Sequence, residues 1–425
     1  MTPAIKCLIL LAVVALLFVT EMIPLAMTAM GASIACCALG LVPEEQIFLG
    51  LADSTVVLFG GMFVVGASMF YTGLAQKIGG GVVRMFGKGE NSLMFGIMII
   101  AALMSAVLSN TGTTACLIPV VMGICANAKI SASRELMPLA FAAGLGGTIT
   151  LIGTPPNILA NVALKAAGMA DMQFGFFEYA WIGIPITVAG IVYMMFLGKY
   201  MLPKENLDLQ LDFEEELLEN ETSKQKQIIC GIIMVGVIGS MATGVVPLEI
   251  AAVVGAVVAV LTGCLTEKQA YNSIDWVTIF LFAGMIPVAT AMNTSGAGKL
   301  IAEATVNMMG GDPSPYMVTA VLFVLAVLLT QFMSNTASKA LLCPVGIALS
   351  AQMGASPKAV LMAILIASSC AFASPVGTPP NTLVLGPGGY KFMDYVKAGS
   401  GLVAVCLIVS IIVIPVVWPF FPAQS

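Results

Sequence analysis

Histidine is absent from the 425 residues, and only 9% of them carry a charge. Without an imidazole there is no Ser–His triad, no HExxH zinc helix and no histidine acid or base near neutral pH. Arginine occurs only as Arg84 and Arg134, both in polar connections, so no bidentate guanidinium clamp on an anion is available within the apolar segments. The cysteines, among them Cys7, Cys116, Cys230, Cys264, Cys343 and Cys406, are scattered through apolar runs without CxxC spacing. They read as buried small hydrophobes. There is no GxSxG, and Gly296-Ala297-Gly298-Lys299 is only a fragment of a phosphate loop, so nothing supports an intramembrane enzyme.

What is present is apolar: 59% of the chain is hydrophobic, with a mean hydropathy of +1.02. Soluble domains carry about 25% charged residues. Because the apolar stretches recur from residue 4 to residue 421, no single signal or anchor accounts for them, and the chain reads as an all-α polytopic membrane protein. The net charge of −5 comes largely from Lys204 to Glu221, which holds Glu205, Asp208, Asp212, Glu214, Glu215, Glu216, Glu219 and Glu221 and reads as a solvated loop.

Apolar runs near 20 residues span the hydrocarbon as helices, whereas shorter or interrupted runs suggest re-entrant or broken ones. The pattern predicts helices over about 4–20, 25–42 and 54–76, then shorter runs at 92–108 and 111–127. A run over 135–167 is interrupted at Gly153-Thr154-Pro155-Pro156-Asn157, and a helix follows over about 179–201. The order then repeats after Lys224. Ser109-Asn110-Thr111 returns as Ser334-Asn335-Thr336, 225 positions on, and Gly153 to Asn157 returns as Gly377-Thr378-Pro379-Pro380-Asn381, 224 positions on. Leu58-Phe59-Gly60-Gly61-Met62 matches Leu281-Phe282-Ala283-Gly284-Met285, and Pro24-Leu25 matches Pro247-Leu248, both at 223.

Near-constant offsets mean a duplicated unit. The division is 1–203 for the first repeat, 204–223 for an acidic cytoplasmic linker and 224–425 for the second repeat. Five crossings plus one re-entrant hairpin per unit make an odd count, so the repeats are expected to be inverted. With both termini outside, most basic residues, including Lys77, Arg84, Lys88, Lys129, Arg134, Lys199, Lys204 and Lys224, fall in cytoplasmic connections. Lys6, Lys165, Lys299 and Lys358 are left outside. Inverted repeats with broken helices are the architecture of secondary transporters, whose sites lie near the midplane where the repeats meet.

The motifs suit that role. A Ser-Asn-Thr at a hairpin tip offers hydroxyl and amide oxygens beside released carbonyls, hard ligands for a small cation, while Asn and Thr also donate to an anion. In Gly-Thr-Pro-Pro-Asn the prolines break the helix and glycine permits close backbone approach, and the following half-helix aims free N–H groups into the site. Either motif alone reads equally well as helix glue or a kink. Both occurring twice at matching offsets favours a site.

These pairs, with the run from Ser374 to Tyr390 and Phe392 to Lys397, resemble the divalent anion:sodium symporter family over nearly the whole chain. The resemblance implies an elevator-type carrier acting as a homodimer in the cell membrane, moving di- and tricarboxylates or sulfate with sodium ions. It implies one sodium site at Ser105, Ser109, Asn110 and Gly153, and a second at Thr330, Met333, Asn335 and Gly377. Substrate would then be held by Asn110, Thr111, Thr154, Asn335, Thr336, Thr378 and Pro379. Set against members that have an extra leading helix, this chain is expected to start without one, which gives an expected count of ten crossings.

Lys339, three residues after Thr336, sits in an apolar stretch where a lysine costs about 2.5–3.5 kcal/mol. It either snorkels to the interface or supplies a fixed charge near the substrate, which would favour anion exchange over sodium-driven uptake. Glu21, Asp53, Glu249 and Asp275 read as solvated or capping groups at helix ends, and Asn161 and Gln331 as interhelical bonding amides. A channel does not need duplicated cation-plus-anion motifs, and a proton antiporter would be expected to carry a buried carboxylate pair at them. The expectation is therefore a sodium-coupled carrier of C4 dicarboxylates such as succinate, fumarate or malate, with a sodium-independent exchanger and a citrate or sulfate carrier as alternatives. No nucleic acid or soluble cofactor is implied.

Overall fold

The computed structural model describes residues 1–85, 89–128, 130–203, 223–308 and 314–421, and the described residues contain no β-strand. The acidic linker expected at 204–223 lies outside them except for Ser223, as do Lys88 and Lys129. The first half runs α1 (Pro3–Thr20), α2 (Leu25–Ala38), α3 (Ser54–Tyr71), α4 (Leu74–Met85), α5 (Glu90–Ser105), α6 (Asn110–Ala128), α7 (Leu136–Gly146), α8 (Leu159–Ala166) and α9 (Ala180–Phe196). The second half runs α10 (Lys224–Thr243), α11 (Leu248–Leu261), α12 (Glu267–Ser273), α13 (Trp276–Ser295) and α14 (Ala297–Met308). It continues with α15 (Pro315–Thr330), α16 (Asn335–Met353), α17 (Pro357–Ala367), α18 (Pro379–Leu385) and α19 (Phe392–Val417). The element order of the first half thus recurs in the second, with α12 where the first half has two short 3-10 turns.

Local chemistry sets these boundaries. Asp53 caps α3 by accepting from Thr55 N at 2.9 Å, and Asp275 caps α13 by accepting from Thr278 N at 3.2 Å, so both edge carboxylates do what a helix N-terminus asks of them. The helix expected over 54–76 is instead two: Gly73 takes a left-handed φ of 69°, and the chain leaves as the separate amphipathic α4. Gly296 (φ 78°) does the same before α14.

Among the described residues, five segments are long and apolar enough to cross a membrane: Pro3–Thr20, Glu44–Tyr71, Lys224–Thr243, Trp276–Ser295 and Phe392–Val417. The others are shorter. Every residue of α7 is buried, as is every residue of α17 except Lys358. At 1.5 Å per residue an 11-residue helix is about 16 Å long, roughly half of a ~30 Å hydrocarbon core, so each stops partway and leaves its break inside.

Packing is reciprocal both between and within the halves. Helix α2 lies against α13 and α11 against α3; α5 packs on α7 as α15 packs on α17, and α8 meets α16 as α18 meets α6. The basic ends also cluster. Lys77 Nζ donates to Gln227 Oε1 (3.0 Å), Arg134 to the Lys199 carbonyl (3.2 Å) and Lys199 Nζ to Asn91 Oδ1 (3.0 Å), while Arg134 also pairs with Glu90. At the opposite ends of α3 and α9, Lys165 pairs with Asp53 (2.7 Å) and Lys358 with Glu178 (2.9 Å).

Candidate functional site

Each Ser-Asn-Thr lies at a helix–helix corner. Helix α5 ends at Ser105 and α6 starts at Asn110, while α15 ends at Thr330 and α16 starts at Asn335. The serine of each motif caps the new helix: Ser109 Oγ accepts from Gly112 N (3.1 Å) and Ser334 Oγ from Ala337 N (3.1 Å). The asparagine then reaches back to the hydroxyl four residues before that serine. Ser105 Oγ lies 2.7 Å from Asn110 Oδ1, and Thr330 Oγ1 lies 2.7 Å from Asn335 Oδ1. The two minus-four positions singled out in the sequence therefore face their motifs, as one helical turn requires.

The breaks are built alike. In the first, Asn157 Nδ2 donates to Gly147 O and Thr150 O, both at 3.0 Å; in the second, Asn381 Nδ2 donates to Ala371 O (2.9 Å) and Ser374 O (2.8 Å). A tyrosine closes each from behind, Tyr179 Oη on Asn157 O (2.8 Å) and Tyr395 Oη on Asn381 O (2.7 Å). Carbonyls that a helix would have satisfied are thus taken up by one asparagine per break. Glycine is needed at both motif heads: a Cβ on Gly153 would lie 2.8 Å from Gly147 O, and one on Gly377 would lie 2.6 Å from Thr330 O.

The first half-site gathers oxygens. The Asn110 amide fits its surroundings with its nitrogen donating to Ser105 Oγ, Gly153 O and Ala143 O at 2.7, 3.1 and 3.3 Å, so three oxygens converge on one side-chain atom. Ser105 and Gly153 belong to the hard neutral ligand set that the resemblance implied for a small cation; Ala143 was not among it. Among the described residues, no group of three or more Asp, Glu or Cys that could hold a metal occurs.

Ser105, Asn110, Thr330, Met333, Gly153, Gly377, Thr154 and Thr378 are buried; Asn335 and Thr336 are half-buried; Thr111 and Pro379 are exposed. Among the described residues, the hydroxyls of Thr111, Thr154, Thr336 and Thr378 make no hydrogen bond within the chain and remain available to a ligand. A cavity of ≈ 340 Å³ reaches the first half-site at Ser109 and Pro155 and is walled by Phe59, Phe63, Phe70, Tyr71 and Ser273.

Lys339 does not snorkel. It is fully buried, and its Nζ donates to Asn157 Oδ1 (2.9 Å) and to Ser369 Oγ (2.7 Å), so a lysine of the second half holds the break of the first. Asn161 and Gln331 are structural: Asn161 clamps the Phe174 backbone through both ends of its amide, and Gln331 bonds Val327, Cys370 and Ala373. Sequence reasoning missed Ser369, which no motif marks, and did not give Asn157 and Asn381, the last letters of their motifs, a role of their own. It also missed Glu135, a fully buried carboxylate at the start of α7 whose two oxygens have no hydrogen-bond partner.

This all-helical fold with paired broken-helix motifs defines a multi-pass membrane transporter rather than an enzyme. The chain belongs to the citrate transporter family (CitMHS), which matches residues 15–345. It is 30% identical over 428 residues to an uncharacterized transporter of Haemophilus influenzae, covering 94% of this chain and 89% of that one. It is 25% identical over 450 residues to the sodium-dependent dicarboxylate transporter SdcS of Staphylococcus aureus, covering 95% and 84%. It is also 25% identical over 466 residues to the sodium-dependent high-affinity dicarboxylate transporter 3 of Caenorhabditis elegans, covering 96% and 82%. The fold is shared with the YdaH transporter of Alcanivorax borkumensis, at a TM-score of 0.68, 16% identity and 98% coverage of both chains. It is shared too with MtrF of Neisseria gonorrhoeae, at a TM-score of 0.62, 15% identity and coverage of 88% and 81%.

Proposed function

We propose that the chain is a secondary carrier that moves a small divalent organic anion, a C4 dicarboxylate such as succinate, fumarate or malate, together with sodium ions. The observation that carries this reading is the cluster of oxygens from Ser105, Gly153 and Ala143 gathered around Asn110, set beside free threonine hydroxyls and the N-terminal ends of α6 and α16. Oxygens hold the cation; hydroxyls and helix ends receive the anion. The names of the Staphylococcus aureus and Caenorhabditis elegans relatives point the same way. Cation binding draws the Ser-Asn-Thr corner onto the Gly-Thr-Pro-Pro-Asn break and thereby orders the anion's ligands. Coupling follows because the cation binds the anion-competent arrangement more tightly. The two halves act as inverted repeats with both termini outside, and translocation is of the elevator type in a homodimer.

The test is uptake of labelled succinate by purified protein in liposomes, under an inward sodium gradient, with potassium in its place, and into vesicles preloaded with unlabelled succinate. Sodium-dependent accumulation into empty vesicles is expected. Uptake only into preloaded vesicles, indifferent to sodium, would replace symport by anion exchange, and competition by citrate and sulfate distinguishes the remaining substrates.

A further inference from the structure

Packing divides the helices into two groups. Helices α1, α2, α3, α10, α11, α12 and α13 pack on one another, α5 to α9 pack with α15 to α19, and α4 and α14 touch both groups. All four motifs belong to the second group. The main direct packing between the groups is that of α13 on α8 and α16. Elsewhere they stand apart: the ≈ 340 Å³ cavity that reaches Ser109 and Pro155 lies between them, beside Tyr71 at the end of α3 and Ser273 at the end of α12.

Among the described residues, one ion pair crosses from group to group. Lys165, in the last turn of α8, donates through Nζ to Asp53 Oδ2 at 2.7 Å, at the start of α3. The others, Arg134 with Glu90, Lys358 with Glu178 and Lys299 with Glu303, stay within the second group or within α14. The carboxylate is fixed from behind, because Asp53 Oδ1 also accepts from Thr55 N. The ammonium is fixed to the site, because α8 begins at Leu159, directly behind the first break. The repeat supplies the carboxylate a second time but not the pair. Asp275, 222 positions after Asp53, caps α13, yet Gly389 stands 224 positions after Lys165, and Asp275 pairs with no lysine or arginine among the described residues. The two groups are thus tied by charge at one end of the molecule and untied at the other, where the cavity opens.

We propose that Asp53 and Lys165 form a latch between the two groups: the pair holds the motif-bearing group against α3 and α13 in the arrangement seen here and parts each time that group crosses. This rests on the carrier reading, to whose movement it adds a holding contact, and needs neither a particular anion nor sodium. Lys165 is partly open to solvent, so losing the pair shifts the balance between the two arrangements by about threefold, the scale of a half-exposed ion pair. Asparagine at position 53 keeps the helix cap and removes only the charge.

The first test measures distance and uses no substrate. Spin labels are placed on the purified full chain through Glu44→Cys, on the first group, and Asp171→Cys, just after α8, both at exposed positions. Cys37, the one native cysteine that is not buried, is changed to serine. Double electron–electron resonance is expected to give one dominant short distance in the otherwise unchanged chain. Asp53→Asn and Lys165→Gln should each raise the weight of a longer distance about threefold, and the double variant should raise it no further than either alone. A distribution unchanged in all three variants, or one that grows additively in the double variant, overturns the latch. The second test joins Asp53→Cys to Lys165→Cys with a short bis-maleimide. Uptake of labelled succinate should be lost on cross-linking and kept in the single-cysteine variants given the same reagent; uptake that survives the cross-link overturns the latch as well. No uptake even by untreated wild type defeats the succinate reading instead, and the distances then decide the latch by themselves.

Discussion

Among single residues, Asn110 and Asn157 carry the most consequence per atom. Asn110 stands at the centre of the first oxygen cluster, so Asn110→Ala is expected to lower sodium and succinate affinity together, by about tenfold or more for each, about 1.4 kcal/mol on the scale of binding energies. Titrating each ligand against intrinsic fluorescence in the presence of the other checks this, and a fall in only one would break the linkage. Asn157→Ala should act on the fold instead. It strands two carbonyls and removes one of the two acceptors of a buried ammonium, a class of change that costs about 3–5 kcal/mol, readable as a lower melting temperature in detergent. Asn381→Ala strands its carbonyls too but no charge, and should cost distinctly less.

At the scale of elements, the site exists because helices stop early. The prolines end the run after Gly153 and Gly377, a feature plain in the sequence, but the closeness of Gly153 to Gly147 and Ser105, and of Gly377 to Thr330, belongs to the packed breaks. Gly153→Ala places a methyl within 3.0 Å of two carbonyl oxygens and should cost about 1–3 kcal/mol and abolish sodium-driven uptake, while Gly239→Ala, on the exposed face of α10 with nothing near its Cβ position, should leave uptake largely intact. Uptake in liposomes compares the two. The sequence also merged α3 and α4 into one helix, because Val, Met and Phe continue up to Tyr71 and nothing apolar marks the turn except Gly73, whose left-handed backbone is visible only in three dimensions.

For the whole molecule, the halves are held together at the ends as well as at the site. Glu178, before α9, accepts from Lys358 Nζ at 2.9 and 3.0 Å and from Trp418 Nε1 at 2.8 Å, joining α9 to α17 and α19. Burial raises the Glu178 carboxyl, but the Lys358 and Trp418 hydrogen bonds, with one from Gly175 N, outweigh it and hold the group below its usual range. A depressed folded value stabilises above the unfolded carboxyl value of about 4.3 and is lost as pH falls through the folded one. Wild type should therefore lose stability between pH 5 and acid, on the order of 1 kcal/mol of it through this group, and Glu178→Gln should show a smaller drop in melting temperature over the same window.

Composition and spacing by themselves determined a great deal here. The absence of histidine, the scarcity of charge and the offsets of 223 to 225 positions led to an all-helical membrane transporter with paired site motifs, because hydrophobic length and proline breaks act locally along the chain. The partners of Lys339 were decided only in the tertiary structure. Position along the chain leaned towards snorkelling over a fixed charge, the wrong way, since the choice turns on Asn157 and Ser369, which lie 182 and 30 residues away and are brought to it by packing. The same is true of Glu135, unremarkable beside Arg134 in sequence and fully enclosed once α7 sinks into the core: burial is a property of the whole packed chain, and no local pattern encodes it.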